Sequence, residues 1–383
     1  MDRGFPERIS AFLSNKMDAI KQTHGEHSRE YLGIARQYVR TDAESRETLE
    51  DNLQHYKAAL GKDAGLKRSE RLYRRTAVIN ISQACISNCR FCLRSNYENE
   101  SFSQDDLLNF ARYCGSQENR NDITEILVTG GDPLLALGRL KYLITAITEC
   151  APNVRRIRIG SRLPLQDPAR IDTELLNLFQ TSVGGTQFEL AIQINHPTEL
   201  FVESQAALTR ISEAGVRIYA QNVLLKGVND DIDVLTELYD CLRQLGVETH
   251  YLFHCCPIVG TRHFRTSLRR GLDLARELTS SGRISGRSKP LFAAMTDIGK
   301  IVLYDGAIME QKGPRLLIQS CYSYEERIRW NPTWELPKSA EIAPDGTLRV
   351  WYLDGEDATR SADTSEELAF NLRDGAPLAV LPS

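Results

Sequence analysis

From Thr76 onward, six short runs rich in β-branched residues alternate with amphipathic stretches of helical period, and this alternation constrains the fold more than any other feature of the chain. The runs cover residues 76–82, 125–129, 155–160, 188–194, 217–225 and 249–253, with helical segments at 107–114, 140–150, 201–214, 234–245 and 268–278. Strand, amphipathic helix and strand again is the βαβ unit of a parallel sheet. Six units are too few for a closed eight-stranded barrel, so the expected class is α/β, a partial (β/α)6 TIM-type barrel. Residues 1–70 read as a helical N-terminal extension, because Ile9, Phe12 and Leu13, then Leu49, Leu53, Tyr56 and Leu60, recur at helical spacing. Residues 71–288 form the expected barrel. Residues 289–383 form a small β-rich appendage, with runs at 301–304, 315–318 and 347–352, a turn at 344–346 and a last helical stretch near 366–372.

Composition removes several function classes. A net charge of −4 gives no electrostatic footprint for nucleic acid, and the basic stretch 67–75 is short and mixed. No apolar run approaches the roughly 20 residues that span a bilayer. The nine cysteines are odd in number, Cys255 and Cys256 are adjacent, and the first residues do not read as a signal peptide. A reducing, cytoplasmic setting is therefore expected, without membrane or nucleic-acid partners.

In βα barrels the loops after the strands build the active face, and the unusual residues of this chain fall there. Cys85, Cys89 and Cys92 follow the first run, Gly130-Gly131-Asp132-Pro133 the second, Ser161-Arg162 the third and Asn195-His196-Pro197 the fourth. Gln221-Asn222 lies in the fifth run and His254-Cys255-Cys256 ends the sixth. A four-iron cluster normally takes four thiolates, so three leave one iron open to bind and activate a ligand. Zinc asks for a second pair of ligands at similar spacing, which the sequence does not offer.

The C-x3-C-x2-C spacing, with Phe91 before its last cysteine, resembles the cluster loop of radical S-adenosylmethionine (SAM) enzymes. That resemblance implies a [4Fe-4S] cluster, SAM on its open iron, and reductive cleavage driven by an external flavodoxin- or ferredoxin-type electron donor. It places Phe91, Gly130, Gly131, Asp132, Ser161, Asn195, His196 and Gln221 toward SAM. Glycines allow close backbone approach to a ligand, and Asp132 offers an acceptor to the SAM ammonium. Arg94, two residues past the last cluster cysteine, can clamp a substrate carboxylate with both arms of its guanidinium.

The resemblance narrows further. Cys85-x3-Cys-x2-Cys-Leu-Arg94, Val128-Thr-Gly-Gly-Asp-Pro-Leu134, Ile157-Arg-Ile-Gly-Ser-Arg-Leu-Pro164, Ile194-Asn-His-Pro-Thr-Glu199, Gln221-Asn-Val-Leu-Leu-Lys-Gly-Val-Asn-Asp230 and His263-Phe-Arg-Thr266 occur in order and resemble the lysine 2,3-aminomutase family over about 76–310. Members of that family pair SAM with pyridoxal phosphate (PLP) and move an amino group along an amino acid held as an imine. The family pattern carries the PLP lysine at the end of a glycine-rich loop. Here Pro290-Leu-Phe-Ala-Ala-Met-Thr296 runs straight into Asp297-Ile-Gly-Lys300, so the loop reads as deleted, with Lys300 the candidate PLP lysine and Lys289 a weaker one. Cys256 stands where lysine-specific members grip the distal ammonium with an aspartate, and the partner acid falls near Met295, which argues against lysine and makes Cys256 a substrate-facing candidate. Segment 320–334, dense in aromatics and charge, reads as the core and rim of the appendage, with a cover over the site as the alternative. The expectation is a radical SAM enzyme acting on an amino-acid-like small molecule without PLP, by dehydrogenation, epimerisation, elimination or rearrangement. A PLP-dependent 2,3-aminomutase on a substrate other than lysine is the alternative, a non-catalytic iron–sulfur carrier or scaffold the rival from another class, and a homodimer an assembly open to it.

Overall fold

In the computed structural model, which describes residues 5–45, 66–96, 102–180 and 185–357, the alternating runs form one sheet of nine strands lying in chain order. These are β1 (Ser69–Glu70), β2 (Thr76–Ser82), β3 (Glu125–Gly130), β4 (Arg156–Ser161), β5 (Gln187–Ile192), β6 (Arg217–Leu224), β7 (Glu248–His254), β8 (Leu291–Thr296) and β9 (Gly299–Val302). Strands β2 to β8 pair in parallel, while β1 and β9 run antiparallel at the two edges. The edges curl toward each other: the Lys300 N–H on β9 donates to the Tyr73 hydroxyl, just before β2, at 2.9 Å.

The partial barrel is present with one parallel strand more than the six expected. The sheet runs past residue 288, where the barrel was expected to end, because Leu291–Thr296 pairs in parallel with β7 and turns back as β9. The run 301–304, expected in the appendage, thus begins inside the barrel sheet.

Ten helices are described: α1 (Ala11–His24), α2 (Arg29–Tyr38), α3 (Gln104–Gly115), α4 (Leu137–Cys150), α5 (Leu163–Gln166), α6 (Thr173–Gln180), α7 (Val202–Glu213), α8 (Ile232–Gln244), α9 (Leu268–Ser280) and α10 (Tyr324–Trp330). In α4, Leu140, Leu143, Ile144 and Ile147 fall on one buried stripe, the i, i+3, i+4, i+7 pattern of a helix covering a sheet. That stripe meets Ile126 and Val128 of β3, Ile157 and Ile159 of β4 and Leu190 of β5, all in one apolar core. Because strand side chains alternate, the intervening residues Glu125, Leu127, Thr129, Arg156, Arg158, Glu189, Tyr219 and Gln221 point to the concave face. The inside of the half-barrel is therefore polar.

The N-terminal helices start at serine caps, Ser10 Oγ accepting from Leu13 N at 3.1 Å and Ser28 Oγ from Tyr31 N at 3.2 Å. Leu13, Met17, Tyr31, Ile34 and Tyr38 form a second core, which packs against Cys89 and Phe201. The helical expectation at Leu49, Leu53, Tyr56 and Leu60, and that at 366–372, lie outside the described residues.

After the barrel sheet come β10 (Ile308–Lys312), β11 (Arg315–Ser323), β12 (Ala340–Ile342) and β13 (Thr347–Leu353), an antiparallel sheet of order β10-β11-β13-β12. It docks through buried polar contacts: His254 on β7 bonds the Tyr352 hydroxyl at 2.8 Å and the Thr266 carbonyl at 2.7 Å. Segment 320–334 seals the gap between the barrel's edges. Arg327 donates to the Ile298 carbonyl at 3.1 Å, with the Tyr322 and Trp334 rings each 4.9 Å from its guanidinium, and Asn331 donates to the Arg71 carbonyl at 3.1 Å.

Candidate active site

The cysteine loop follows β2 and is held from outside by the N-terminal extension. The Asn88 N–H donates to the Arg8 carbonyl at 2.8 Å, Asn88 Nδ2 to the Pro6 carbonyl at 2.9 Å and the Arg90 N–H to the Gln37 carbonyl at 2.8 Å. Arg8 donates to the Cys85 carbonyl at 3.1 Å, and Ser10 N–H to Ser87 Oγ at 2.9 Å. Arg90 is wholly buried; its Nε meets Glu44 Oε1 at 2.9 Å and its Nη2 meets Glu44 Oε2 at 2.5 Å, a two-point ion pair. Each backbone group of the loop that finds a partner this way loses freedom to move, so the extension is part of the site's wall.

The glycine pair after β3 supports the same loop from beneath. The Gly131 N–H donates to the Ser82 carbonyl at 2.6 Å and the Asp132 N–H to the Ala84 carbonyl at 2.7 Å. A Cβ at Gly130 would sit 2.2 Å from the Ser82 oxygen, and one at Gly131 2.2 Å from the Ala84 oxygen. The backbone at the end of β2 and the start of the cysteine loop thus approaches both glycines closely. Gly131→Ala is expected to displace that loop and lower the iron and sulfide retained after anaerobic reconstitution severalfold; iron content equal to the unmodified chain would contradict the packing.

Asp132 is buried and its carboxylate accepts from Leu134 N at 3.0 Å, from Ser161 Oγ at 2.8 Å, from Arg162 N at 2.9 Å and from Leu163 N at 3.1 Å. Burial raises its pKa and those four donors pull it back. That carboxylate ties the end of β3 to the end of β4, and Ser161 is one of its ties. Phe91 lies in a small apolar cluster with Val223, Leu225, Val228, Cys255 and Phe264, its ring edge-on to Phe264 at 6.3 Å.

The Asn195-His196-Pro197 turn is likewise bonded inward. Asn195 Nδ2 donates to Gln37 Oε1 at 3.0 Å and its Oδ1 accepts from Val223 N at 2.7 Å. The His196 ring packs against Gly33 of α2, where a Cβ would lie 2.6 Å from the imidazole, and its Nδ1 accepts from Thr198 N at 3.3 Å. Burial lowers its pKa to about 4, so the imidazole is neutral at pH 7. Both residues join the N-terminal helix α2 to the rim.

Sequence reasoning placed Arg162 on the rim after the third strand run but gave it no role. It is buried; its Nη1 donates to Cys89 Sγ at 3.0 Å and its Nη2 to Gln37 Oε1 at 3.0 Å, and it forms an ion pair with the buried Glu199. Its guanidinium lies 5.1 Å from the Tyr38 ring centroid and 5.6 Å from that of Phe91. Burial works against its charge, but Cys89, Tyr38 and Glu199 outweigh that and raise its pKa. Only an acid four residues past Asn195, in Asn195-His-Pro-Thr-Glu199, hinted at a buried partner.

On the concave face, Arg158 meets Glu189 at 3.1 Å and Glu125 at 3.6 Å, and Arg156 meets Glu189 at 3.3 Å, so two arginines and two glutamates balance. Gln221 and Tyr251 are neighbours on β6 and β7, and Lys300 opposite Met295 points inward with them. The Lys300 amine sits 3.9 Å from the Tyr251 ring centroid, and burial, then Arg158, lower its pKa to about 8. Arg94 is half-buried and lies 3.6 Å from Glu70 on β1. Burial pushes the Cys256 thiol up to about 12, which keeps it protonated.

The donor set suits an iron–sulfur cluster. Three free thiols share one loop; burial, then the charge of Cys92 and Cys89, raises the pKa of Cys85, and burial raises that of Cys89 against the pull of Arg162. Among the described residues no three His, Cys, Asp or Glu side chains converge as ligands of a single ion would. Thiolates that bind separate irons of a cube have no need to converge that way.

A family model for the radical SAM superfamily matches residues 79–238. An Aquifex aeolicus protein assigned as an L-lysine 2,3-aminomutase is 32% identical over 268 residues, which cover 67% of this chain and 70% of that protein. The chain belongs to the radical SAM superfamily, within the lysine 2,3-aminomutase family. L-lysine 2,3-aminomutase of Clostridium subterminale is 30% identical over 66% of this chain and 61% of its own length. Glutamate 2,3-aminomutase of Clostridioides difficile is 30% identical over 58% of this chain and 51% of its own length. The match thus spans less than two thirds of these two curated relatives. Among solved structures, a radical SAM methyltransferase from Sphaerobacter thermophilus aligns over 60% of this chain and 69% of that one, at 18% identity and a TM-score of 0.43. Among the described residues, no helix of this radical SAM protein is long and apolar enough to cross a membrane.

Proposed function

We propose that this radical SAM enzyme reductively cleaves SAM and abstracts hydrogen from an amino-acid-like small molecule without PLP. The observation that carries the PLP-free reading is the turn Asp297-Ile298, which alone joins β8 to β9 and leaves no room for a glycine-rich loop before Lys300. Cys85, Cys89 and Cys92 would hold the cluster, the rim after β3 and β4 with Gln221 would face SAM, and Arg94 and Cys256 would face the substrate. When bound, the cluster supplies the electron that splits the SAM sulfonium, drawn from an external flavodoxin- or ferredoxin-type donor. The chain's own contribution is to fix the loop between the N-terminal extension and the glycine pair and to offer a polar concave face within which a substrate can be oriented. Without PLP to delocalise a nitrogen-linked radical, dehydrogenation, epimerisation or elimination beside a polar group is favoured over amino migration.

A second reading keeps PLP and an aminomutase reaction on an amino acid other than lysine. It is favoured by Lys300, whose inward amine has its pKa lowered by burial to about 8, which enlarges the share of the neutral form that imine formation needs.

The test is anaerobic incubation of the reconstituted chain with SAM and dithionite, with and without PLP, against a panel of amino acids, with 5′-deoxyadenosine measured by mass spectrometry. Deoxyadenosine stimulated by one compound without PLP is expected. Strict dependence on PLP would move the assignment to the second reading, and none under any condition would leave a cluster-binding scaffold. Cys92→Ala is expected to lose both the cluster absorbance and all deoxyadenosine formation; turnover persisting in that variant would remove the cysteine loop from the mechanism.

A further inference from the structure

Arg162 does more than brace the rim. Its guanidinium donates to Cys89 Sγ at 3.0 Å as the charged one of two donors to that sulfur, the other being the neutral Gln166 Nε2 at 3.6 Å. It is 6% exposed, and its counterion Glu199 is 1% exposed, so neither charge is screened by water. Glu199 is in turn fixed by Gln37 Nε2 at 3.0 Å, Asn195 N at 2.8 Å and His196 N at 3.0 Å. The ion pair is thus oriented, its positive end against a cluster sulfur and its negative end turned into protein.

We propose that the Arg162–Glu199 pair sets the reduction potential of the cluster, Arg162 acting as a positioning residue that raises it and Glu199 as the counterweight that limits the rise. This rests on the cysteine loop holding the cluster. Reduction adds one negative charge to the cluster, and hydrogen bonds and charge at its sulfurs are among the levers that tune such potentials. A cation beside Cys89 favours the reduced state, an anion behind it opposes that state, and low local polarity magnifies both. The arrangement would bring the cluster within reach of its electron donor, and through Gln37 and Tyr38 it makes the N-terminal helix α2 part of that control.

The test is an EPR-monitored potentiometric titration of the full reconstituted chain without SAM, on the unmodified protein and on R162Q and E199Q. The two variants are expected to move the reduction equilibrium in opposite directions, R162Q down and E199Q up, each by about tenfold, ~59 mV for one electron. A merely structural pair would not split in sign: shifts in the same direction, or none, overturn the proposal. Should R162Q not retain iron, R162K, which keeps the charge but loses the planar fork, takes its place with a smaller downward shift, and a rise in E199Q remains required. Failure of the cluster reading itself shows separately, as absence of iron and sulfide in the unmodified protein.

Discussion

Replacing Glu44 by glutamine is expected to unfasten the cysteine loop while leaving every cysteine in place. Glu44 and Arg90 are 2% and 0% exposed and meet at two points, so the substitution leaves a guanidinium buried without its countercharge. Removing one partner of such a pair destabilises by about 3–5 kcal/mol, far more than the intact pair contributes over an apolar replacement. Arg90 keeps its bonds to the Phe5 and Pro6 carbonyls at 3.1 and 3.0 Å, which satisfy donors but not charge. Because Arg90 lies between Cys89 and Cys92, the damage should localise there: a lower thermal midpoint, severalfold less cluster after reconstitution, and loss of deoxyadenosine formation in proportion to cluster. An unchanged midpoint with full cluster content would show that the N-terminal segment merely covers the loop.

The second large effect is expected at Lys300. Its folded pKa of about 8 lies below the ordinary 10.5, so the fold disfavours the ammonium relative to the unfolded chain. The sign follows from linkage: the unfolded state binds more protons between about pH 8 and 10.5, and stability rises with pH across that window. Below about pH 8 the lysine therefore costs stability, although the Tyr251 ring at 3.9 Å and the Tyr73 ring at 5.6 Å recover part of it. Lys300→Met should raise the thermal midpoint at pH 7 and gain less at pH 10. Reductive methylation of the intact chain, followed at this residue by mass spectrometry, should titrate with a midpoint near 8; a midpoint near 10.5 would place the amine in water and remove it from the site. Borohydride-trapped pyridoxyl on Lys300 would decide for the PLP-dependent reading.

Several parts of this molecule were legible before any coordinates. The βα alternation specifies the parallel strands because a strand buried on one face by helices must carry apolar residues at every second position, as Ile126 and Val128 do in β3. The three cysteines announce a metal chemistry because their spacing is a local property of one loop. The eighth strand was less legible: Leu291-Phe-Ala-Ala-Met-Thr296 holds two alanines and a methionine and has a single β-branched residue, at its end, and its pairing with β7 is what makes it a strand.

The sequence by itself determined the half-barrel and the grouping of three cysteines in one loop, both of which rest on order and spacing along one chain. Only the tertiary structure decided what the rim residues touch. The sequence placed Asp132, as an acceptor, and Asn195 toward SAM, and packing bonds them to Ser161 and the backbone beyond it, and to Gln37 and Val223. Arg162 stood on the rim without a role and is a buried cation against Cys89, since its partner Glu199 lies 37 residues away. Whether a charge is solvated or paired depends on groups brought together across the chain, and spacing within one segment does not carry that information.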